Sequence, residues 1–343
     1  MLALKMDDDL NTMQNDILKR WQKKKISDIS QEVKDILALK FQGTVLYKEP
    51  MSRHTYIKIG GPAQVFLCPQ DIENAILAVK IAQKYSIPYC FHGSGANTLV
   101  KDNGVSGFVI SLYNGATGIQ VLEETADHYD IEATAGTAFS QFVKFAKALP
   151  ATGFEELAGI PGSIGGYIKM NAGTPHRETK DIFVSATVLN KDGEIVEFTK
   201  SKMQFGYRSS GLTKTQLILK AIFRLPKATS EESVEEKIRT VLQTRSDKQP
   251  LNFPNLGSIF KNPEPEKGLP ILTAGQLIDE AGLKGVRVGG ARISEKHANF
   301  IINEGQATAK DVLALIDLVK NKVKTLCAVD LETEIKVLGD DDI

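Results

Sequence analysis

The chain has 343 residues, which predicts two or three domains and a large core. Lys plus Arg and Asp plus Glu both number 42, so no net field draws it onto nucleic acid or anionic lipid. No apolar run reaches the length of a spanning helix, Asp7, Asp8 and Asp9 stand where a secretory signal would need apolar residues, and Cys68, Cys90 and Cys327 are too scattered for a disulfide framework or a zinc cluster, which leaves a cytoplasmic protein without a metal as the expectation.

Ile17, Leu18, Trp21, Ile26 and Ile29 recur at loose helical spacing beside Lys19, Arg20, Lys23, Lys24 and Lys25. This predicts a basic helical extension over residues 1–45, either solvated or facing a partner or membrane. From about residue 55, strands and helices alternate. Val65-Phe-Leu67 reads as a strand, Asp71 as the N-cap of a helix bearing Ile72, Ile76 and Val79, and Val105 to Leu112 as another strand. That order predicts a mixed or parallel sheet covered by helices.

Ile119–Val121 and Tyr129–Ile131 alternate across a short acidic turn, as a hairpin should. Thr137 is expected to cap a helix carrying Phe139, Phe142 and Val143. Asp192-Gly193, between Val184–Leu189 and Ile195–Phe198, predicts a type I′ turn, and Leu217–Phe223 a further strand. A boundary is expected near 226–232, followed by a helix to about Arg245, a proline-rich loop and a helix over Ala274–Ala281. The last helix opens at Thr308 with Asp311 three residues on.

Three glycine-rich segments look chemical. His92-Gly-Ser-Gly-Ala-Asn97 follows a strand end and is either a tight turn or a backbone cradle for phosphate oxygens. Gly159-Ile-Pro-Gly-Ser-Ile-Gly-Gly166 is costly to order unless a flat ring or pyrophosphate packs on it, or else is a wide inter-domain loop. Asn255-Leu-Gly-Ser258-Ile-Phe-Lys261-Asn262 sets a hydroxyl beside glycine, a cation and an amide, which suits a loop at a reacting group or a capped turn. No nucleophile-elbow pattern surrounds Ser258. Tyr207-Arg208 could grip an anionic oxygen or pack at the surface, and Leu331-Glu-Thr-Glu334-Ile335 reads as a terminal strand with a solvated acidic face. His54, His92, His128, His176 and His297 lack the spacing of metal ligands.

Taken in order, these segments resemble the UDP-N-acetylenolpyruvoylglucosamine reductase family. The resemblance runs from about Thr55 to Gly339 and rests on Ile57-Lys-Ile-Gly-Gly-Pro-Ala63, Gly93–Asn97, Ile160-Pro-Gly-Ser-Ile-Gly-Gly166, Met170-Asn-Ala-Gly173, Phe205-Gly-Tyr-Arg208, Lys248-Gln-Pro250, Gly257-Ser-Ile-Phe-Lys-Asn-Pro263, Ala274-Gly-Gln-Leu-Ile-Asp279 and Leu331-Glu-Thr-Glu-Ile335. No one motif decides; their shared order does. Gly93-Ser-Gly-Ala-Asn97 departs from the family's usual Gly-Gly-Gly-Ser-Asn, and Thr174-Pro-His-Arg-Glu178 replaces a commoner Ala-Tyr-Gly.

The resemblance implies an α+β fold: a vanillyl-alcohol-oxidase-type FAD-binding domain in two subdomains, 46–112 and 113–227, and a C-terminal α+β substrate domain, 228–343, whose last strand, 331–338, delivers Glu334. It implies non-covalent FAD near Ile57, Gly60, Gly61, Gly93, Ser94, Gly95, Ala96, Asn97, Thr98, Leu99, Ile160, Pro161, Gly162, Ser163, Gly165 and Gly166. Ser258 falls at the family's proton donor, and Arg208 and Glu334 at its catalytic partners. Tyr207, Lys248, Asn262 and His297, with Asn299 beside it, fall where the sugar nucleotide is held.

The implied reaction moves a hydride from NADPH by way of flavin to the vinyl carbon of UDP-N-acetylglucosamine enolpyruvate. The short Arg208–Ser258 interval resembles the class without an inserted tyrosine loop. A monomer is expected, with no stable membrane insertion. Another FAD-linked oxidoreductase on this scaffold, or a non-catalytic sugar-nucleotide or flavin-binding protein, are the alternatives.

Overall fold

The computed structural model describes residues 28–264 and 272–340. Contacts divide the chain after Phe41 into two units. In the first, α1 (Gln31–Lys40) starts at Ser30, whose Oγ accepts from the Val33 amide at 3.4 Å. The basic stretch through Lys25, expected to be helical, and part of the proline-rich loop before residue 272 lie outside the described residues.

The second unit opens with β1 (Gly43–Pro50), a strand that sequence periodicity does not reveal because Glu49 alone of its residues is buried. It lies at the edge of a four-stranded sheet, antiparallel to β2 (Pro62–Pro69). Asp71 accepts from the Asn74 amide at 2.8 Å and starts α2 (Ile72–Lys84), as expected. The chain then forms β3 (Tyr89–His92), the short β4 (Thr98–Val100) and β5 (Val105–Ser111). Sheet order is β1-β2-β5-β3, with β2, β5 and β3 parallel. Val65, Leu67, Phe108 and Ile110 are fully buried, the continuous apolar content that parallel strands covered by helices require.

A second sheet holds β6 (Ile119–Glu124), β7 (His128–Thr134), β8 (Phe183–Leu189), β9 (Ile195–Thr199) and β10 (Leu217–Pro226). Its order is β6-β7-β10-β8-β9, antiparallel throughout. Between β7 and β8 run α3 (Phe139–Ala148) and α4 (Ile164–Met170), joined by a 3-10 turn at Glu155–Leu157. Phe139 stacks on Tyr167 at 3.7 Å between ring centres, and Phe142 meets Phe223 of β10 edge-on at 5.0 Å.

Two local expectations are corrected here. Ala138, not Thr137, is the N-cap of α3, and it makes no side-chain cap bond. The Thr137 hydroxyl instead accepts from the Gly118 amide and meets the Thr134 hydroxyl, so a tertiary contact outbids the cap. The β8–β9 turn is not type I′, which needs positive φ at both central residues. Gly193 alone has it, at +82°, and Asn190 Oδ1 accepts from the amides of Asp192 and Glu194, making a wider loop.

The C-terminal part contains α5 (Glu231–Lys248), α6 (Ala274–Glu280), a small sheet of β11 (Arg287–Val288), β12 (Ala291–Ile293) and β13 (Ile301–Asn303), then α7 (Ala309–Cys327) and β14 (Lys336–Leu338). Thr308 and Asp311 form the expected capping box of α7. Val312, Leu315, Ile316 and Val319 of α7 bury against Ile278 and Ile293, and the same core takes in Ile57, Ile59 and Leu99. β14 pairs in parallel with β4, Val337 opposite Leu99. Residues 331–335, expected within that strand, are instead an irregular segment bridged at Thr333 to Phe260. Among the described residues no helix is long and apolar enough to cross a membrane.

Asp102, in the β4–β5 turn, accepts from the amides of Ala309 and Lys310 at 2.8 and 3.0 Å and so holds the α7 N-terminus. Asp102→Ala should cost about 1 kcal/mol, as loss of an N-terminal cap does. Urea unfolding checks this; an unchanged midpoint would show that Thr308 and Asp311 suffice alone.

Candidate active site

The segments after β3 and before α4 come together. A Cβ added at Gly93 would meet only Ser163 Oγ, at 3.0 Å, and one at Gly166 the same atom at 3.4 Å. Around Ser163, whose hydroxyl caps α4, there is thus open backbone from both glycine-rich loops. The other glycines serve the fold. Gly95, at φ +75°, has the His54 carbonyl 2.1 Å from where a Cβ would be, Gly61 has the Asp102 carbonyl at 2.0 Å, and Gly60, Gly162 and Gly165 pack on Met51, the Tyr167 ring and Ala135. Ile57 and Leu99 are buried in the C-terminal core, which leaves only their backbone to face a ligand.

Ser94 is buried, Ala96 and Thr98 are half-buried, and Ile160 accepts from the Tyr167 hydroxyl beside the exposed Pro161. Two apposed loops with bare backbone at Gly93 and Gly166 fit an extended phosphate-bearing cofactor such as FAD, because a side chain at either position would fill the cradle.

Asn97 links this cradle to the C-terminus. Its side chain donates to the Glu334 carbonyl at 3.2 Å and its own carbonyl accepts from Lys336 at 2.9 Å. The Glu334 amide donates to the Ile259 carbonyl at 2.8 Å, one residue past Ser258. Glu332 points the other way, to Lys261 at 2.6 Å.

Glu334 meets Arg208. Its Oε1 lies 3.0 Å from Arg208 Nε, while Arg208 Nη2 donates to the Gly173 carbonyl at 2.8 Å. Arg208 Nη1 is buried without a hydrogen-bond partner, and Glu178 Oε1 stands 3.8 Å from it. Arg208 sits at φ +53°, a left-handed conformation that the turn between Gly206 and Ser209 imposes. Burial pushes the Glu334 carboxyl up, and Arg208 draws it part of the way back. Tyr207 lies beneath the guanidinium at 5.0 Å, and its hydroxyl accepts from the Asn262 amide at 3.5 Å. The structure therefore brings Arg208, Glu334, Tyr207, Asn262 and the Ser258 loop together.

Ser258 is half-buried, and its hydroxyl has no partner among the described residues. Gly257 before it has φ +74°. Asn262 Oδ1 accepts from Ala274 at the start of α6, which leaves its amide nitrogen to donate. Lys248 is exposed at the end of α5, and no contact joins it to Arg208. His297 packs on Phe300, its Nδ1 accepts from the Asn299 amide, and burial and Lys284 push its pKa down; no contact joins it to Arg208 either.

Sequence reasoning missed several supports. Asn299 accepts from Phe260 N at 2.9 Å and donates to Phe260 O at 2.8 Å, clamping the Ser258 loop. Burial pushes the Lys169 pKa down to about 8, and its ammonium donates to the carbonyls of Leu212 and Thr213. Asn171, at φ +43° and wholly buried, donates to Glu178 and to the Gly206 carbonyl, both at 3.0 Å. Its place after Met170 was the available signal.

Known proteins are similar to this chain in sequence and in fold. Residues 249–338 match the family model of UDP-N-acetylenolpyruvoylglucosamine reductase, C-terminal domain, and residues 63–199 that of an FAD binding domain. The chain is 40% identical over 312 residues to the UDP-N-acetylenolpyruvoylglucosamine reductase of Syntrophus aciditrophicus, covering 90% of this chain and 96% of that one. It is 41% identical over 313 residues to that of Lachnoclostridium phytofermentans, covering 91% and 97%. The chain belongs to the UDP-N-acetylenolpyruvoylglucosamine reductase family. The crystal structure of a member from Thermus caldophilus superposes with a TM-score of 0.69 at 32% identity, over 87% of this chain and 99% of that one. The protein is accordingly an FAD-binding oxidoreductase of the α+β fold expected, with a C-terminal domain of the family's own kind.

Asn299→Ala leaves two buried backbone groups of Phe260 without partners and should cost about 2–4 kcal/mol. A loss below about 1 kcal/mol in urea unfolding would mean that the Ser258 loop is held by other contacts.

Proposed function

We propose that the protein reduces UDP-N-acetylglucosamine enolpyruvate to UDP-N-acetylmuramate with electrons from NADPH, a step of peptidoglycan precursor synthesis. On this reading both nucleotide substrates are drawn from the cytoplasm. The observation that carries this reading is the half-satisfied Arg208 guanidinium, in contact with a half-buried Glu334 beside the Ser258 loop. The working partition is flavin subdomains at 46–112 and 113–227 and a substrate domain at 228–343.

The Gly93–Leu99 and Ile160–Gly166 segments would hold FAD, which when bound would supply the hydride for the vinyl carbon. Negative charge then develops on the neighbouring carbon and its carboxylate. Arg208 Nη1 has a free N–H to offer that carboxylate. Glu334 meets the guanidinium at Nε, and its burial shifts the carboxyl toward the neutral form, in which it would add a second donor. Neither group has to reorganise from water as the charge appears.

The carbanionic carbon next takes a proton. It is basic enough for a hydroxyl to serve, provided that hydroxyl is held within about 3 Å. Ser258 Oγ, without a partner among the described residues and pinned through Ile259 and Phe260, suits that task. Tyr207, the Asn262 side-chain amide, Lys248 and His297 are the groups assigned to the sugar nucleotide, with the exposed Lys248 contributing a cation for phosphate oxygens.

Ser258→Ala should leave flavin reduction by NADPH intact and slow flavin reoxidation by the enolpyruvyl substrate by about 10²–10⁴-fold, the range for loss of a general acid. Stopped-flow measurement of the two half-reactions decides; equal slowing of both would refute the assignment. Arg208→Lys should also lose about 10²-fold or more in reoxidation, since an ammonium cannot meet Glu334, Gly173 and the substrate from one plane. Near-normal turnover of that variant would count against a directional role for the guanidinium.

A further inference from the structure

Glu178 falls in the stretch where this chain departs from the family's usual Ala-Tyr-Gly, and its carboxylate faces the far side of Arg208. Oε2 accepts from Asn171 at 3.0 Å and pairs with Lys180 at 2.5 Å, while Oε1 lies 3.8 Å from Arg208 Nη1. A backbone bridge joins Glu178 to Gly173, whose carbonyl accepts from Arg208 Nη2. Asn171 ties the same carboxylate to Gly206, two residues before Arg208. Two of the three groups around the guanidinium therefore come from one short hairpin.

We propose that Glu178 is a positioning residue: the anion that orients the Arg208 guanidinium and offsets its charge toward Glu334. The proposal rests on the roles given above to Arg208 and Glu334. At 3.8 Å the carboxylate attracts Nη1 without consuming its N–H, so the hydrogen bond stays available for a substrate carboxylate. An anion on the opposite side of Arg208 also weakens the pull that the guanidinium exerts on the Glu334 proton. The charged groups facing Glu334 are Arg208, Lys261 and Lys336, and those facing Glu178 are Arg208 and Lys180, with Asp181 beside Lys180. Removing Glu178 leaves an uncompensated cation against Glu334, which favours loss of its proton.

The test is the pH dependence of flavin reoxidation by UDP-N-acetylglucosamine enolpyruvate in single-turnover stopped flow, with reduction by NADPH as the control. Glu178→Gln keeps the shape and removes the charge. It should slow reoxidation by about 10-fold or more and move the limb that falls with rising pH to lower pH by about half a unit or more, with reduction within about twofold of the parent. Lys180→Ala exposes the Glu178 charge and should move the same limb to higher pH, which keeps the proposal testable if the Gln variant fails to hold flavin. Glu178→Asp should return the limb toward its original position.

Reoxidation by Glu178→Gln within about twofold of the parent, or slowed with the limb unmoved, overturns the proposal and leaves a structural brace. If Ser258→Ala and Arg208→Lys lose reoxidation while Glu178→Gln does not, this proposal alone fails. If those two variants reoxidise normally, the reading of the whole site fails, and this proposal with it.

Discussion

A guanidinium can be taken out of water only where acceptors meet it, because an unpaired buried charge costs several kcal/mol. The Arg208 side chain is 15% exposed, and the groups that meet it come from two distant stretches of chain, the Gly173 carbonyl with the Glu178 charge and then Glu334. That demand organises much of the structure around it. The left-handed Arg208 aims the side chain inward, Asn171 fixes the hairpin that supplies Gly173 and Glu178, and the chain must return from its C-terminal helix to supply Glu334.

The return is secured by apolar packing rather than by the ion pair. β14 lies against β4, and α7 buries its inner face with Ile57, Ile59 and Leu99, residues that precede it by more than two hundred positions. Asp102 at the α7 N-terminus and Asn303, which donates to the Ile57 carbonyl at 2.9 Å, fix the same junction with hydrogen bonds. One consequence is proximity: Asn97 belongs to the glycine-rich loop yet holds Glu334 through its carbonyl. The cofactor cradle and the acid beside Arg208 are therefore a single hydrogen bond apart.

What was legible in the sequence was what local physics decides. Asp71 and the Thr308–Asp311 box cap their helices, and the apolar runs around Val65 and Val109 became parallel strands, because neighbours in sequence carry those signals. Thr137 and Asp192-Gly193 misled, since Gly118 and the Asn190 side chain, outside the local pattern, took over the polar groups. β1 was hidden because an edge strand need not alternate. At the site, the residues alone left Arg208, Ser258 and Glu334 open to bland readings, and the family resemblance singled them out. The clamps from Asn299, Asn171 and Glu178 were not readable, since each acts on backbone or charge brought near only by folding.

Glu332 and Glu334 show how far position can separate identical side chains. Both stand on one short segment, two residues apart, facing opposite ways. The Lys261 ammonium holds the exposed Glu332 carboxyl below its usual range, whereas burial pushes Glu334 above it. The difference matters for charge balance. Counted over Arg208, Glu178, Lys180 and Glu334 alone, the charges sum to zero when Glu334 is ionised. A protonated Glu334 leaves one net positive charge and adds a donor. In the reaction proposed above, which binds a carboxylate and then spreads further negative charge onto it, both would serve, and the partial burial of Glu334 favours them.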